Sequence, residues 1–464
     1  MKKKINLIVQ IGILFAVSYA LRLNFIVPMV LAALFIYLVV SRKIGGHKKY
    51  NILYPTLIFV MMFGISVFLL EYRLSLFIPF SLLSILLTVL FNDLALTLVF
   101  NVGFSVTLMS FAQSMYGGVS FSLGMLALVS GISSSLFVYQ ARRRVTIFKT
   151  GLFAAAVQLA AFYALEYLNL PGWRSYLLVF LNGAITGVIA QPLVLFFEYL
   201  FKTITNMSLL ELSDTRDSPL FREMILKAPG TYHHSLIVGN LAEAACEAIG
   251  ANALLARVGA YYHDIGKVAK AEYFIENQFN QDASHDALAP SMSKLVVMNH
   301  VKEGVDLARK YRLNPAIVDF IAQHHGTSLV YYFYRRALEE SDLEHEVKED
   351  IYRYPGPKPK TKETAIVLLA DSVEAASRSL KDTNSAKIEE TVRKIINNKF
   401  IDGQLDDCEL TLRDLETISS TFIRILGSVY HARVNYPEST SEDRNKEPAE
   451  ESFRSCGKNK KGHS

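Results

Sequence analysis

The chain has 464 residues, 51% of them hydrophobic, and a formal net charge of +5. Residues 1–201 hold 14 Lys/Arg and 4 Asp/Glu, too few to solvate a surface, whereas residues 202–464 hold 34 and 39, as an ordinary globular domain does. The contrast excludes a wholly soluble protein, and the composition excludes disordered, collagen-like and coiled-coil chains.

Eight apolar runs come first, at residues 5–21, 25–40, 52–70, 74–91, 94–112, 119–139, 147–168 and 176–201. Most have the ~17–25 residues a helix needs to cross a bilayer. No small-residue cleavage site follows Tyr19-Ala20-Leu21, so the first run is expected to be retained rather than removed as a signal peptide. Lys2–Lys4, Arg42, Lys43, Lys48, Lys49, Arg142–Arg144, Lys149 and Lys202 fall on one side if every run crosses once, and only Arg22, Arg73 and Arg174 fall on the other. The bias predicts eight crossings with both termini cytoplasmic. The runs carry no acid or base in mid-span, and Glu71, Glu166 and Glu198 lie at run ends, where a snorkelling carboxylate costs little. A transport role is therefore not expected.

The stretch Ser213-Asp214-Thr215-Arg216-Asp217-Ser218-Pro219 reads as a linker, with Ser218 and Pro219 as N-cap and first helical residue. Beyond it the apolar spacing is helical throughout. One helix is expected over 235–249, stopping at Gly250, and another over 253–265, stopping at Gly266. Pro290 opens a run to residue 312, Asn314-Pro315 opens one ending at His324-His325-Gly326, and 364–380 and 411–434 complete the set. Residues 354–360, with three prolines, read as a loop, and residues 437–464 as a disordered tail. Cys246, Cys408 and Cys456 share no metal-like spacing and read as reduced thiols.

Seven of the 11 histidines lie between residues 233 and 325. A lone helical histidine needs no explanation, but these sit at helix ends beside acids, and His263-Asp264-Ile265-Gly266-Lys267 sets an imidazole next to a carboxylate. Metal binding follows. The two oxygens of Asp264 suit it to bridge a pair of cations ~3.5–4 Å apart, the separation that activates water and stabilises a phosphoryl transition state. His234 or its neighbour His233, with His263, His300, His324 and His325, would complete the shells. Asp371 is the best further acid because it interrupts the apolar run 365–376, with Glu374 the alternative. A nitrogen-rich donor set favours two divalent transition-metal ions, Mn or Fe, over Mg or Ca.

The His263–Lys267 motif resembles that of the HD-domain metal-dependent phosphohydrolases. Together with 228–235 (APGTYHHS), 273–278 (YFIENQ), His324-His325-Gly326-Thr327, 352–357 (YRYPGP) and 370–376 (ADSVEAA), the chain is similar to the seven-transmembrane-type receptors with an intracellular HD hydrolase. The resemblance implies an all-α protein, a polytopic membrane domain followed by an all-helical HD domain, that linearises cyclic di-AMP to pApA in second-messenger signalling. It carries the metal ligands onto His234, His263, Asp264, His300, His324, His325 and Asp371. Catalytic roles go to His263 and Asp264, and to Lys267 as a positive charge for the phosphate. One departure matters: only Arg22-Leu23-Asn24 stands where the family usually places a large extracellular domain; and the lack of a Gly-Tyr-Pro motif after His324-His325 argues against the related hydrolases of cyclic di-GMP.

The expected organisation is a membrane domain over 1–203, a linker over 204–218, the HD domain over 219–436 and the tail. The expected partners are a cyclic dinucleotide and the lipid bilayer, with self-association into a homo-oligomer left open. Nucleic acid is not expected, because the soluble half is net acidic with no basic stripe. His285 and the aromatic stretch Tyr331–Tyr334 with Arg335-Arg336 are secondary candidates for substrate contact. The competing readings are a single-metal HD nucleotide hydrolase, which has no use for His300, His324 and His325, and a non-catalytic nucleotide receptor, which would ordinarily have lost ligands.

Overall fold

The computed structural model describes residues 51–116, 120–166, 171–214, 218–278, 290–340, 347–380 and 384–431. The first two apolar runs, His285, Cys456 and the tail lie outside these described residues. Within them the protein is all-α: helices and short 3-10 turns, with one isolated bridge between Leu329 and Arg353.

The membrane part comprises α1 (Leu53–Glu71), α2 (Leu82–Phe91), α3 (Leu94–Tyr116), α4 (Ser120–Val138), α5 (Val145–Glu166) and α6 (Trp173–Phe201). Five of these are long and apolar enough to cross a membrane, and α2 is the exception. Its 10 residues reach only ~15 Å at ~1.5 Å per residue. The run at 74–91 is thus not the single helix its hydropathy suggests. Pro79 disfavours helical backbone at the residue before it, and Ile78 is extended (φ −61°, ψ 120°) after the 3-10 turn Ser75–Phe77. The carbonyls released by this break lie within the bundle, where no water would meet them. Asn182 of α6 meets them instead, its Nδ2 donating to Leu76 O at 2.9 Å and Ile78 O at 2.7 Å.

The broken segment still traverses. Phe59 of α1 packs on Phe100 and Phe104 of α3, and Phe63, one turn on, packs on Phe111. The two helices therefore run in the same direction, and the chain between them must return to the side from which α1 started. Asn92 closes that return in the left-handed conformation (φ 48°). Elsewhere the bundle is closed by small residues. A Cβ on Gly151 would lie 2.4 Å from the Gly187 Cα, and one on Gly183 would lie 2.4 Å from the Ala155 Cα, so α5 and α6 touch backbone to backbone.

The second, helical part is attached to one face of this bundle. Tyr54, at the start of α1, stacks on Phe201, at the end of α6, with centroids 4.4 Å apart. Glu198 accepts from Thr205 N (3.0 Å) and Ser208 Oγ (2.7 Å), so it caps the connecting segment rather than merely snorkelling. Arg144, in the turn before α5, grips both oxygens of Glu211 at 2.5 and 2.8 Å. Glu211 belongs to α7 (Asn206–Ser213), a helix within the expected linker.

The second part contains α8 (Pro219–Lys227), α9 (Pro229–Ile249), α10 (Ala253–Tyr262), α11 (Pro290–Lys310), α12 (Pro315–Gln323), α13 (Tyr331–Glu340), α14 (Lys362–Arg378), α15 (Ser385–Ile401) and α16 (Leu412–His431). Ser218 caps α8, Asn314 caps α12, and Gly250 ends α9 at φ +72°. Gly266 does not stop a helix as expected. The α-helix ends at Tyr262, and Gly266 lies inside a 3-10 stretch, Ile265–Tyr273. A Cβ there would sit 1.8 Å from the His300 carbonyl oxygen, so this glycine permits two segments of the site to touch. α14 runs through the core: 365–370 are fully buried and pack on α9, α10 and the apolar faces of α15 and α16.

Candidate metal centre

Five elements converge on one buried cluster. α9 contributes His234, which is buried, while its neighbour His233 is exposed; burial separates the pair that residue chemistry could not. The end of α10 supplies His263 and Asp264, α11 supplies His300, the end of α12 supplies His324 and His325, and α14 supplies Asp371. Three of the imidazoles are oriented alike. Nδ1 of His263, His300 and His324 donates to the carbonyl three residues earlier, that of Ala260, Val297 and Ile321, at 2.6, 2.5 and 2.9 Å. His234 Nδ1 lies 2.6 Å from Glu374 Oε2, and Glu374 is held in turn by Arg378. Each of these rings thereby presents Nε2 inward, the arrangement of an imidazole prepared to ligate.

Asp264 divides its oxygens between two groups. Oδ2 lies 3.2 Å from His263 Nε2 and 3.6 Å from His234 Nε2, whereas Oδ1 lies 3.3 Å from His300 Nε2 and 3.4 Å from His324 Nε2. Asp371 Oδ1 faces His234 (3.1 Å) and His263 (3.9 Å), and its Oδ2 lies 3.7 Å from His325 Nδ1. His234, His263 and Asp371 form one set of atoms close enough to share an ion; Asp264, His300, His324 and His325 form another. His234 Nε2, His263 Nε2 and Asp264 Oδ1 are buried with no hydrogen-bond partner. Unpaired buried polar atoms are costly, and cations held by the two sets would satisfy all three.

The local fields suit such a site. Burial favours the neutral acid at Asp264 and Asp371, yet His263 and Lys267 at the first, and His234 at the second, hold both carboxyls below their usual range. Burial pushes His324 down to about 4 and His325 well below its normal value, so both rings are neutral. At His234 burial is outweighed by Asp371 and Glu374, which lift it to about 10.

Lys267 is neither solvated nor free. Its Nζ lies 2.7 Å from Asp264 Oδ2 and 2.8 Å from Glu276 Oε1, above the ring of Phe274. Glu276 and Asn277 in turn bind Thr231 on α9. Of the secondary candidates, Tyr331 and Tyr332 are exposed and Phe333 is buried, on a helix whose Tyr334 meets Tyr352. Sequence reasoning gave no role to Glu276, nor to Tyr354. The tyrosine lies in the proline-rich loop 354–360, and its ring stacks on His325 with centroids 4.3 Å apart. No periodicity marks it, because it occupies irregular backbone.

A helical His/Asp ligand cluster of HD type, carried on a membrane bundle, is what the fold and the site define together. The chain belongs to the 7TM receptors with intracellular HD hydrolase: that family model matches residues 14–205, and the HD domain model matches residues 231–376. Over 339 residues the chain is 44% identical to the cyclic-di-AMP phosphodiesterase PgpH of Bacillus subtilis, covering 72% of this chain and 47% of the relative. It is 38% identical over 349 residues to the protein of the same name from Listeria monocytogenes, covering 72% and 46%. The chain thus spans about half the length of the curated relatives it matches. The crystal structure of the L. monocytogenes PgpH HD domain in complex with cyclic-di-AMP is 46% identical, covers 46% of this chain and 99% of its own, and has a TM-score of 0.45.

Proposed function

We propose that this protein is a membrane-anchored, metal-dependent phosphodiesterase that opens a cyclic dinucleotide, cyclic di-AMP to linear pApA, with its HD domain in the cytoplasm of a bacterium. The observation that carries the reading is the division of the Asp264 oxygens between two imidazole pairs, which a single-ion site does not need. The names of the relatives supply the substrate, and the basic face to which the HD domain is attached supplies the cytoplasmic side.

His234, His263 and Asp371 would hold one ion, and His300, His324 and His325 the other, with Asp264 between them. Five imidazoles and two carboxylates suit Mn or Fe better than Mg or Ca. When bound, such a pair supplies Lewis-acid charge to a phosphoryl oxygen and acidifies water. The chain's own groups do the positioning. The carbonyls of Ala260, Val297 and Ile321 fix three rings, Glu374 fixes His234, and Lys267 holds Oδ2 of Asp264 while Glu276 holds Lys267. Lys267 acts through Asp264 in this arrangement rather than on the phosphate, and His263 and Asp264 act as ligands.

The test is to incubate the full chain, in detergent or nanodiscs with Mn, with cyclic di-AMP and separately with mononucleotides. The expected result is pApA that accumulates without further breakdown. Intact cyclic di-AMP alongside consumption of a mononucleotide would replace this reading with the single-metal one.

A further inference from the structure

A cyclic dinucleotide carries two phosphodiesters, and a two-ion centre can engage one of them. The second would still bring a negative charge into the cleft. Most cations around the centre are already committed. Lys267 is shared by Asp264 and Glu276, and Arg353 is bound by Asp402 and Glu349 and donates to the Thr327 carbonyl.

Lys399 differs. It stands in the last turn of α15, and its Nζ is 2.7 Å from Ser328 Oγ. Among the described residues no carboxylate lies within ion-pair distance of it. Ser328 closes the loop that begins with His324 and His325, and its carbonyl accepts from Tyr354 N at 3.0 Å. The Tyr354 ring in turn stacks on His325. Lys399 is therefore linked through Ser328 and Tyr354 to the His325 side of the metal centre, and the residue is half-buried. Burial pushes its pKa down, and Asp371 is the strongest of the charges that oppose this.

We propose that Lys399, supported by Ser328, receives the second phosphate of the dinucleotide and so selects a two-phosphate substrate over a simple diester. This rests on the phosphodiesterase reading above and extends it to a residue outside the HD motif.

The experiment compares the full chain with Lys399→Met and Lys399→Arg, each Mn-loaded, on cyclic di-AMP and on bis(p-nitrophenyl) phosphate, which has one phosphate. Lys399→Met should raise KM for cyclic di-AMP by at least about tenfold, the equivalent of ~1.4 kcal/mol. Its kcat on that substrate, its turnover of the simple diester and its bound metal should match wild type, and Lys399→Arg should recover most of the KM. Parallel loss on both substrates, or an unchanged KM for cyclic di-AMP, would overturn the assignment by making Lys399 a structural support of the Ser328 loop. A wild-type chain that cleaves neither substrate would remove the phosphodiesterase reading itself, and the role of Lys399 with it.

Discussion

The carboxylate of Asp264 is the point on which the site turns. Because each of its oxygens faces a different imidazole pair, Asp264→Ala should lose both ions, whereas His300→Ala should lose one and keep the other. Metal analysis of the folded variants decides this, and a full complement of metal in Asp264→Ala would show that the site is wrongly drawn. Proton balance gives a second check. His234 is held protonated at neutral pH by Asp371 and Glu374, and a ligating imidazole must be neutral. Metal loading should therefore release at least one proton, and apparent affinity should rise by up to roughly tenfold per pH unit through the neutral range. Calorimetry in buffers of different ionisation enthalpy measures the release, and identical heats in all buffers would contradict it. That these side chains cluster was legible in the sequence because histidines at helix ends beside acids have few other uses. Their partners were not: the capping carbonyls, Glu276 and Tyr354 depend on how turns of backbone fold over one another, which no spacing records.

Among the elements, helices with strong end signals were legible. Ser218-Pro219, Asn314-Pro315 and Gly250 act where expected because their chemistry is local. Elements without such signals were missed or misjudged. α15 is buried along a narrow stripe of Ile388, Val392 and Ile396 and was not anticipated, and Gly266 was assigned to the wrong task. Hydropathy over residues 74–91 could not reveal the break at Pro79, since a broken segment is as apolar as an intact one. Asn182 makes that break tolerable. Asn182→Leu leaves the Leu76 and Ile78 carbonyls unpaired in the bundle, at a cost of ~1–3 kcal/mol for each group. Denaturant unfolding of the purified chain, followed by circular dichroism, should show an earlier transition. An unchanged midpoint would mean that other groups meet those carbonyls.

At the scale of the whole molecule, the direction of α1 and α3 and the face shared by Tyr54, Phe201 and Arg144 fix which ends of the helices lie together. Single cysteines at Arg143 and Gly172 should accordingly be labelled from opposite sides of the membrane, and labelling from one side only would refute the crossing pattern. The division into an apolar and a charged half was legible from composition alone. How the halves join was not, because the connection is made by side chains far apart in sequence.

That connection has a kinematic consequence. Tyr262, immediately before His263 and Asp264, donates its hydroxyl to the Leu212 carbonyl at 2.8 Å, at the end of the helix that Arg144 and Glu198 pin to the bundle. A domain on a free tether can tumble without disturbing its own interior. Here a single phenol ring links the helix that leaves the bilayer to the two residues at the heart of the cluster. The two halves are thus coupled mechanically, and a tilt of α6 is felt at the Tyr262 hydroxyl, next to the cluster.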